Sequence, residues 1–144
     1  MNYLLDASTL VPLLTDYGEK IFNITDKTLL YTLDLTFYEV GNSLWKMATL
    51  LHIVSLDDAI EIIEVLKDLT RKGYIKTIHF NELNPTKIIK LATNEKITFY
   101  DSAYIIASQK YNTILVTEDK ELIEKAKKHI NVITYTQFKK QLTK

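Results

Sequence analysis

Two rhythms of apolar and polar residues alternate along this chain, one suited to strands and the other to helices. Asn2-Tyr-Leu-Leu-Asp6 predicts a short strand that runs into an acid, followed by a brief helix over residues 10–14. Residues 18–24 predict a small amphipathic helix, 28–32 a second strand, and the stretch from Asp34 to about Leu51 a long helix. The next helix is clearly punctuated: Ser55-x-x-Asp58 opens it, Ile60, Ile62, Ile63, Val65, Leu66 and Leu69 supply its apolar stripe, and Arg71-Lys-Gly73 closes it. Residues 74–79 read as a strand, and Asn84-Pro85 gives a cap and a first-turn proline to a helix over 86–93. From about Phe99 to Tyr111 apolar residues lie almost all round, as in a helix buried in a core. A strand over 113–117, a helix over 120–129, a short strand over 131–134 and a helix over 136–142 complete the pattern. Strands alternate with helices and no hairpin turn intervenes. The expectation is a three-layer α/β/α fold with a mainly parallel central sheet, formed as one domain over residues 1–144.

Composition narrows the chemistry more than the fold. With no cysteine, disulfides, thiolate metal sites and cysteine nucleophiles are excluded together. Three glycines and two prolines leave no flexible linker, and no glycine-rich turn is present to cradle a nucleotide phosphate. No apolar run approaches the roughly 18 residues of a membrane span, and the N-terminus lacks a basic-then-apolar leader, so a cytoplasmic protein without a membrane partner is expected. Net charge is zero but polarised: residues 1–66 hold 3 Lys against 10 acids, and residues 120–144 hold 7 Lys against 2 acids.

Against that background four acids stand out. Asp6 and Asp119 fall at the ends of predicted strands, where α/β sheets bind ligands. Glu39 and Asp101 fall near the starts of predicted helices that can face the same edge. Asp101 is the only charge between Lys96 and Lys110, and Glu39 sits among Phe37, Tyr38, Val40, Leu44 and Trp45. Thr98-x-x-Asp101 and Thr36-x-x-Glu39 also fit helix capping boxes, a role that stabilises a helix by roughly 1 kcal/mol and needs no chemistry. If the four meet, two charges about 4 Å apart repel by roughly 4 kcal/mol at an effective dielectric near 20. A hard divalent cation, Mg²⁺ or Mn²⁺, reverses that cost, because it prefers carboxylates and water. His52, His79 and His129 are scattered without ligand spacing, which argues against zinc. An aspartyl-nucleophile phosphatase motif, Asp-x-Asp-x-Thr, fails because Ser8 stands where its second acid is required.

Leu4-Leu5-Asp6-Ala-Ser8, Glu39-Val-Gly-Asn42, Asp101-Ser-Ala and Leu115-Val-Thr117-Glu-Asp119 resemble, in order and approximate spacing, the four acidic motifs of PIN (PilT N-terminal) domains. The likeness is strongest to the VapC-type ribonuclease toxins of VapBC toxin–antitoxin pairs. The resemblance implies a Mg²⁺- or Mn²⁺-dependent endoribonuclease of RNA, usually a homodimer, silenced by an antitoxin whose C-terminal segment occludes the site. Carried onto this chain, it implies that Asp6, Glu39 and Asp101 hold the metal and Asp119 completes the site. Ser8 and Thr117 would orient carboxylates, and Asn42 would support Glu39 from one turn along. Ala7 departs from the hydroxyl residue frequent there, and Glu118 adds an acid that competes with Asp119 for the fourth position. Because an acidic pocket repels RNA, a basic rim is expected, with Lys120, Lys125, Lys127, Lys128, Lys139 and Lys140 as its candidates. Apolar residues on the long helix, Leu44, Trp45, Met47 and Leu51, independently suggest a homodimer face. The rival to an enzyme is a PIN-like module that binds RNA or protein without cutting.

Overall fold

A computed structural model describes residues 1–143. Its elements run β1 (Asn2–Leu5), α1 (Ala7–Tyr17), α2 (Ile21–Ile24), β2 (Leu29–Leu33), α3 (Asp34–Thr49) and α4 (Leu56–Arg71). They continue with β3 (Ile75–Ile78), α5 (Pro85–Glu95), α6 (Phe99–Tyr111), β4 (Ile114–Val116), α7 (Lys120–Ala126), β5 (Val132–Ile133) and α8 (Tyr135–Leu142). Every pairing in the five-stranded sheet is parallel, and the strand order is β3-β2-β1-β4-β5. The α/β/α architecture expected from the alternation of elements is therefore present.

That order places a topological switch between β1 and β4. From β1 the chain moves outward through β2 and β3, then returns to the other side of β1 to add β4 and β5. The connections leave β1 and β4 in opposite directions and open a crevice at their carboxyl ends, the position where such sheets bind ligands. Leu5 pairs with Val116 in this register, which brings the residues that follow each strand to one edge.

Strand alternation divides the core in two. Tyr3, Leu5, Leu30, Ile75 and Val116 face α1, α3, α4 and α8, whereas Leu4, Leu33, Ile78 and Leu115 face α5, α6 and α7. The second layer explains why α6 is apolar all round. Six consecutive residues after its first turn, Ser102 to Ala107, are buried between the sheet and α5, and the Ser102 hydroxyl donates to the Ile88 carbonyl at 2.7 Å. Truncating Ile105, which is fully buried, removes apolar contacts worth about 2–5 kcal/mol.

The long helix is less one-sided than its sequence suggests. Leu44 is buried and Met47 packs against the core, whereas Trp45 and Leu51 are about half exposed. Among the described residues no helix is long and apolar enough to cross a membrane.

Candidate active site

Asp6 closes β1 and caps α1. Its carboxylate accepts from the Ser8 hydroxyl at 2.6 Å, from the Thr9 N–H at 3.2 Å and hydroxyl at 3.3 Å, and from the Thr117 hydroxyl across the β1–β4 seam. Burial pushes its pKa up, and those four hydrogen bonds pull part of the way back. Ser8 and Thr117 thus stand where the motif resemblance put them; Thr9, one helical turn from Asp6, completes the cradle.

Glu39 projects from the second turn of α3 and is half-buried. One of its oxygens, Oε1, accepts the Tyr104 hydroxyl at 2.7 Å. Burial raises its pKa first, and the charge of Asp6 adds to the rise.

At Asp101 the capping explanation separates from the chemical one. The Thr98 hydroxyl does cap α6, accepting the Asp101 backbone N–H at 3.1 Å. The Asp101 carboxylate does not return the bond, and among the described residues it accepts no hydrogen bond at all. Burial, then the charges of Asp119, Glu39, Asp6 and Glu121 in that order, push its pKa up to about 6. Charges from β1, α3, α6 and α7 therefore converge on one crevice. Glu39 is likewise not a capping acid: Thr36, three residues earlier, accepts the Leu33 N–H at 3.3 Å and starts the helix.

Asp119 caps α7, its Oδ1 accepting the N–H groups of Glu121 and Leu122 at 3.0 and 3.1 Å. Glu118 points elsewhere. Its Oε1 accepts the Tyr135 N–H at 3.2 Å, and its charge is not among those acting on Asp101. Of the two neighbouring acids, Asp119 is the one in electrostatic contact with the crevice, joined by Glu121, which the motif pattern did not single out.

Two expectations need correction. Asn42 is exposed and, among the described residues, makes no hydrogen bond to Glu39. One turn along the helix its side chain points to solvent, and Tyr104 from α6 takes that place. Lys127 and Lys128 do not rim the crevice. The helix α7 starts at the acid edge with Lys120 and runs back, so residues 127 and 128 reach the opposite, amino edge of the sheet. There they line a polar cavity with Asn112, Thr113, His129 and Asn131, and pair with Glu124 and Glu95 at 3.0 and 3.4 Å.

The donor set suits a hard cation: oxygens only, with both Asp101 oxygens and Glu39 Oε2 accepting no hydrogen bond among the described residues. The acids converge without closing into a cage. Among the described residues no three His, Cys, Asp or Glu side chains stand close enough to hold a metal ion. Bare carboxylates repel one another at such range, so electrostatics alone gives them no reason to close further.

A parallel sheet in this order, with acids gathered at its switch point, defines a class, and comparison with known proteins agrees with it. The PIN domain family model matches residues 3–128, and the chain belongs to that family. Within it, the chain is 33% identical over 134 residues to a Pyrobaculum aerophilum protein named exonuclease VapC9, covering 93% of this chain and 92% of that one. A second P. aerophilum relative, named ribonuclease VapC3, is 34% identical over 96 residues, or 67% of this chain and 70% of that one. The crystal structure of PAE2754 from P. aerophilum superposes with a TM-score of 0.74 at 32% identity, covering 99% of this chain and 98% of that one.

Proposed function

We propose that this protein is a divalent-metal-dependent endoribonuclease, the VapC-type toxin of a toxin–antitoxin pair, acting at the Asp6, Glu39, Asp101 and Asp119 crevice. The observation that carries the proposal is Asp101: a half-buried carboxylate, free of the cap beside it and under the charge of four other acids. Such a group destabilises the bare fold, and the cost is offset when the crevice takes up positive charge. Asp6, Glu39 and Asp101, with Asp119 completing the set, would hold Mg²⁺ or Mn²⁺, which would supply Lewis acidity at the scissile phosphodiester.

The chain's own residues then divide the work. Ser8, Thr9 and Thr117 hold the Asp6 carboxylate in one rotamer, so that it presents charge without reorganising. The Tyr104 hydroxyl does the same for Glu39. Asp101 accepts no hydrogen bond among the described residues, so its carboxylate oxygens are open to a cation. Lys120, next to Asp119, is the cation best placed to meet an RNA phosphate. The name of one relative, ribonuclease VapC3, supports RNA as substrate, and the VapC-type resemblance supports an antitoxin as protein partner. A cytoplasmic location agrees with both.

The rival reading is a PIN-like module that binds RNA or protein without cutting. Incubation with a circular RNA, which has no ends, decides between the readings. Mn²⁺-dependent opening of the circle establishes an endonuclease. Degradation of linear RNA only would make the enzyme an exonuclease, and an intact RNA pool in both Mg²⁺ and Mn²⁺ would leave the binding module.

A further inference from the structure

Glu39 and Asp101 reach the crevice from helices packed mainly in opposite layers. The apolar face of α3 packs in the layer with α1 and α4, through Val40 and Leu44, whereas α6 packs in the opposite layer with α5 and α7. Leu35, in the first turn of α3, packs against the α6 layer one turn before Glu39, so apolar contact between the two helices is confined to the start of α3.

Two buried hydroxyls join α3 to α6 at the carboxyl edge of the sheet and end on Glu39. Tyr104 lies one turn after Asp101 on α6, and Thr36 one turn before Glu39 on α3, so each partner shares a face with its acid. The Tyr104 hydroxyl has a single proton, and the Glu39 Oε1 at 2.7 Å, a carboxylate oxygen, can only accept it. The Thr36 hydroxyl, 2.5 Å from the Tyr104 oxygen, must then be the donor in that contact. Thr36 Oγ1 in turn accepts the Leu33 backbone N–H at 3.3 Å. Every donor in the series points the same way: Leu33 N–H to Thr36, Thr36 to Tyr104, Tyr104 to Glu39. Thr36 is fully buried and Tyr104 nearly so, which makes the hydroxyl of Tyr104 costly to keep unless it is used. Phenylalanine would fill the same space.

We infer that Tyr104, oriented by Thr36, is a positioning residue that fixes Glu39 relative to Asp101 and so sets the affinity of the crevice for a divalent cation. The inference rests on the metal-dependent reading above. Losing a partner that orients a ligand typically weakens metal affinity by about 10–100-fold.

Calorimetric titration of Mn²⁺ alone into the full chain tests it, with a melting curve for each variant. Tyr104→Phe should bind Mn²⁺ about tenfold or more weakly, and Thr36→Val should also weaken binding, while Thr36→Ser, which keeps the hydroxyl, stays near wild type. In a Glu39→Gln background, Tyr104→Phe should cause no further loss, because it acts through Glu39. Wild-type affinity in Tyr104→Phe, with only a lower melting temperature, overturns the positioning role and leaves a packing residue. Additive losses in the double variant overturn it as well. Should Tyr104→Phe not fold, the Thr36→Val and Thr36→Ser pair decides, and equal Mn²⁺ affinity in the two counts against the inference. Wild type that takes up no Mn²⁺ at all sinks the metal-dependent reading itself, and the positioning role with it.

Discussion

A single carboxylate, Asp101, carries a testable sign. Its pKa stands at about 6 in the fold against an ordinary 3.8, so the folded chain holds that proton more tightly than the unfolded one. The resulting stabilisation is complete below 3.8 and is lost as pH rises through about 6. In chelator, wild type should therefore lose melting temperature relative to Asp101→Asn as pH rises across that window; parallel profiles would contradict the burial and charge convergence. At neutral pH Asp101→Asn should melt higher than wild type without metal, yet gain nothing from Mn²⁺. Asp101→Asn and Asp6→Asn should each abolish Mn²⁺-dependent RNA cleavage while folding normally, and near wild-type cleavage in both would remove the proposed site. Asp6, Glu39 and Asp101 are visible in the sequence as isolated charges in apolar stretches, whereas Asp119, flanked by Glu118, Lys120 and Glu121, is picked out only by its place after a strand. Their supports are only partly visible there. Ser8 and Thr117 lie beside acids in the chain, but Tyr104 touches Glu39 from 65 residues away, and nothing on α3 announces it. The available hint was weaker: a lone hydroxyl within the apolar run of α6.

Helix α7 has two jobs resting on its N-cap residue, and substitutions can separate them. Asp119 caps the helix and adds charge to the crevice. Asparagine caps about as well as aspartate, so Asp119→Asn should keep stability while weakening Mn²⁺ binding; Asp119→Ala should in addition lose about 1 kcal/mol in denaturant melts. If the two variants bind Mn²⁺ like wild type, Asp119 is a cap and nothing more. Direction also matters along this helix. Lys120→Ala should weaken RNA binding and flatten its salt dependence, whereas Lys127→Ala and Lys128→Ala, at the far edge, should change neither. Each strand and each major helix was readable from periodicity, with ends shifted by a few residues. The helix after Asp6 runs over Ala7–Tyr17 and not only 10–14, because Asp6 caps it directly and Pro12 sits within it. The helix predicted over 18–24 divides into a 3₁₀ turn, Gly18–Lys20, and the short α2, whereas the single-turn 3₁₀ segment Phe80–Glu82 carries no 3.6-residue rhythm and leaves no trace in the pattern. The run 127–129 is polar enough to extend α7 on paper, but the helix stops at Ala126, and the chain turns there to reach β5.

At the scale of the molecule, the surface holds more apolar area than a monomer needs near α3. Tyr38 is 84% exposed, Trp45 and Leu51 about half, and Leu50 and Ile53 continue the patch beyond the helix. A homodimer should therefore appear in light scattering at tens of micromolar, and Trp45→Glu should shift it toward monomer; a monomeric mass for wild type would end the idea. The strand order has a further consequence, for the time at which the crevice comes into being. Asp6 leaves the ribosome 111 residues ahead of Thr117, which holds its carboxylate. At about 5–20 residues per second, β1 waits roughly 5–20 seconds for its β4 neighbour. Until then Asp6 has neither Thr117 nor Asp119 beside it, and a nascent chain is born without the crevice that the finished one carries.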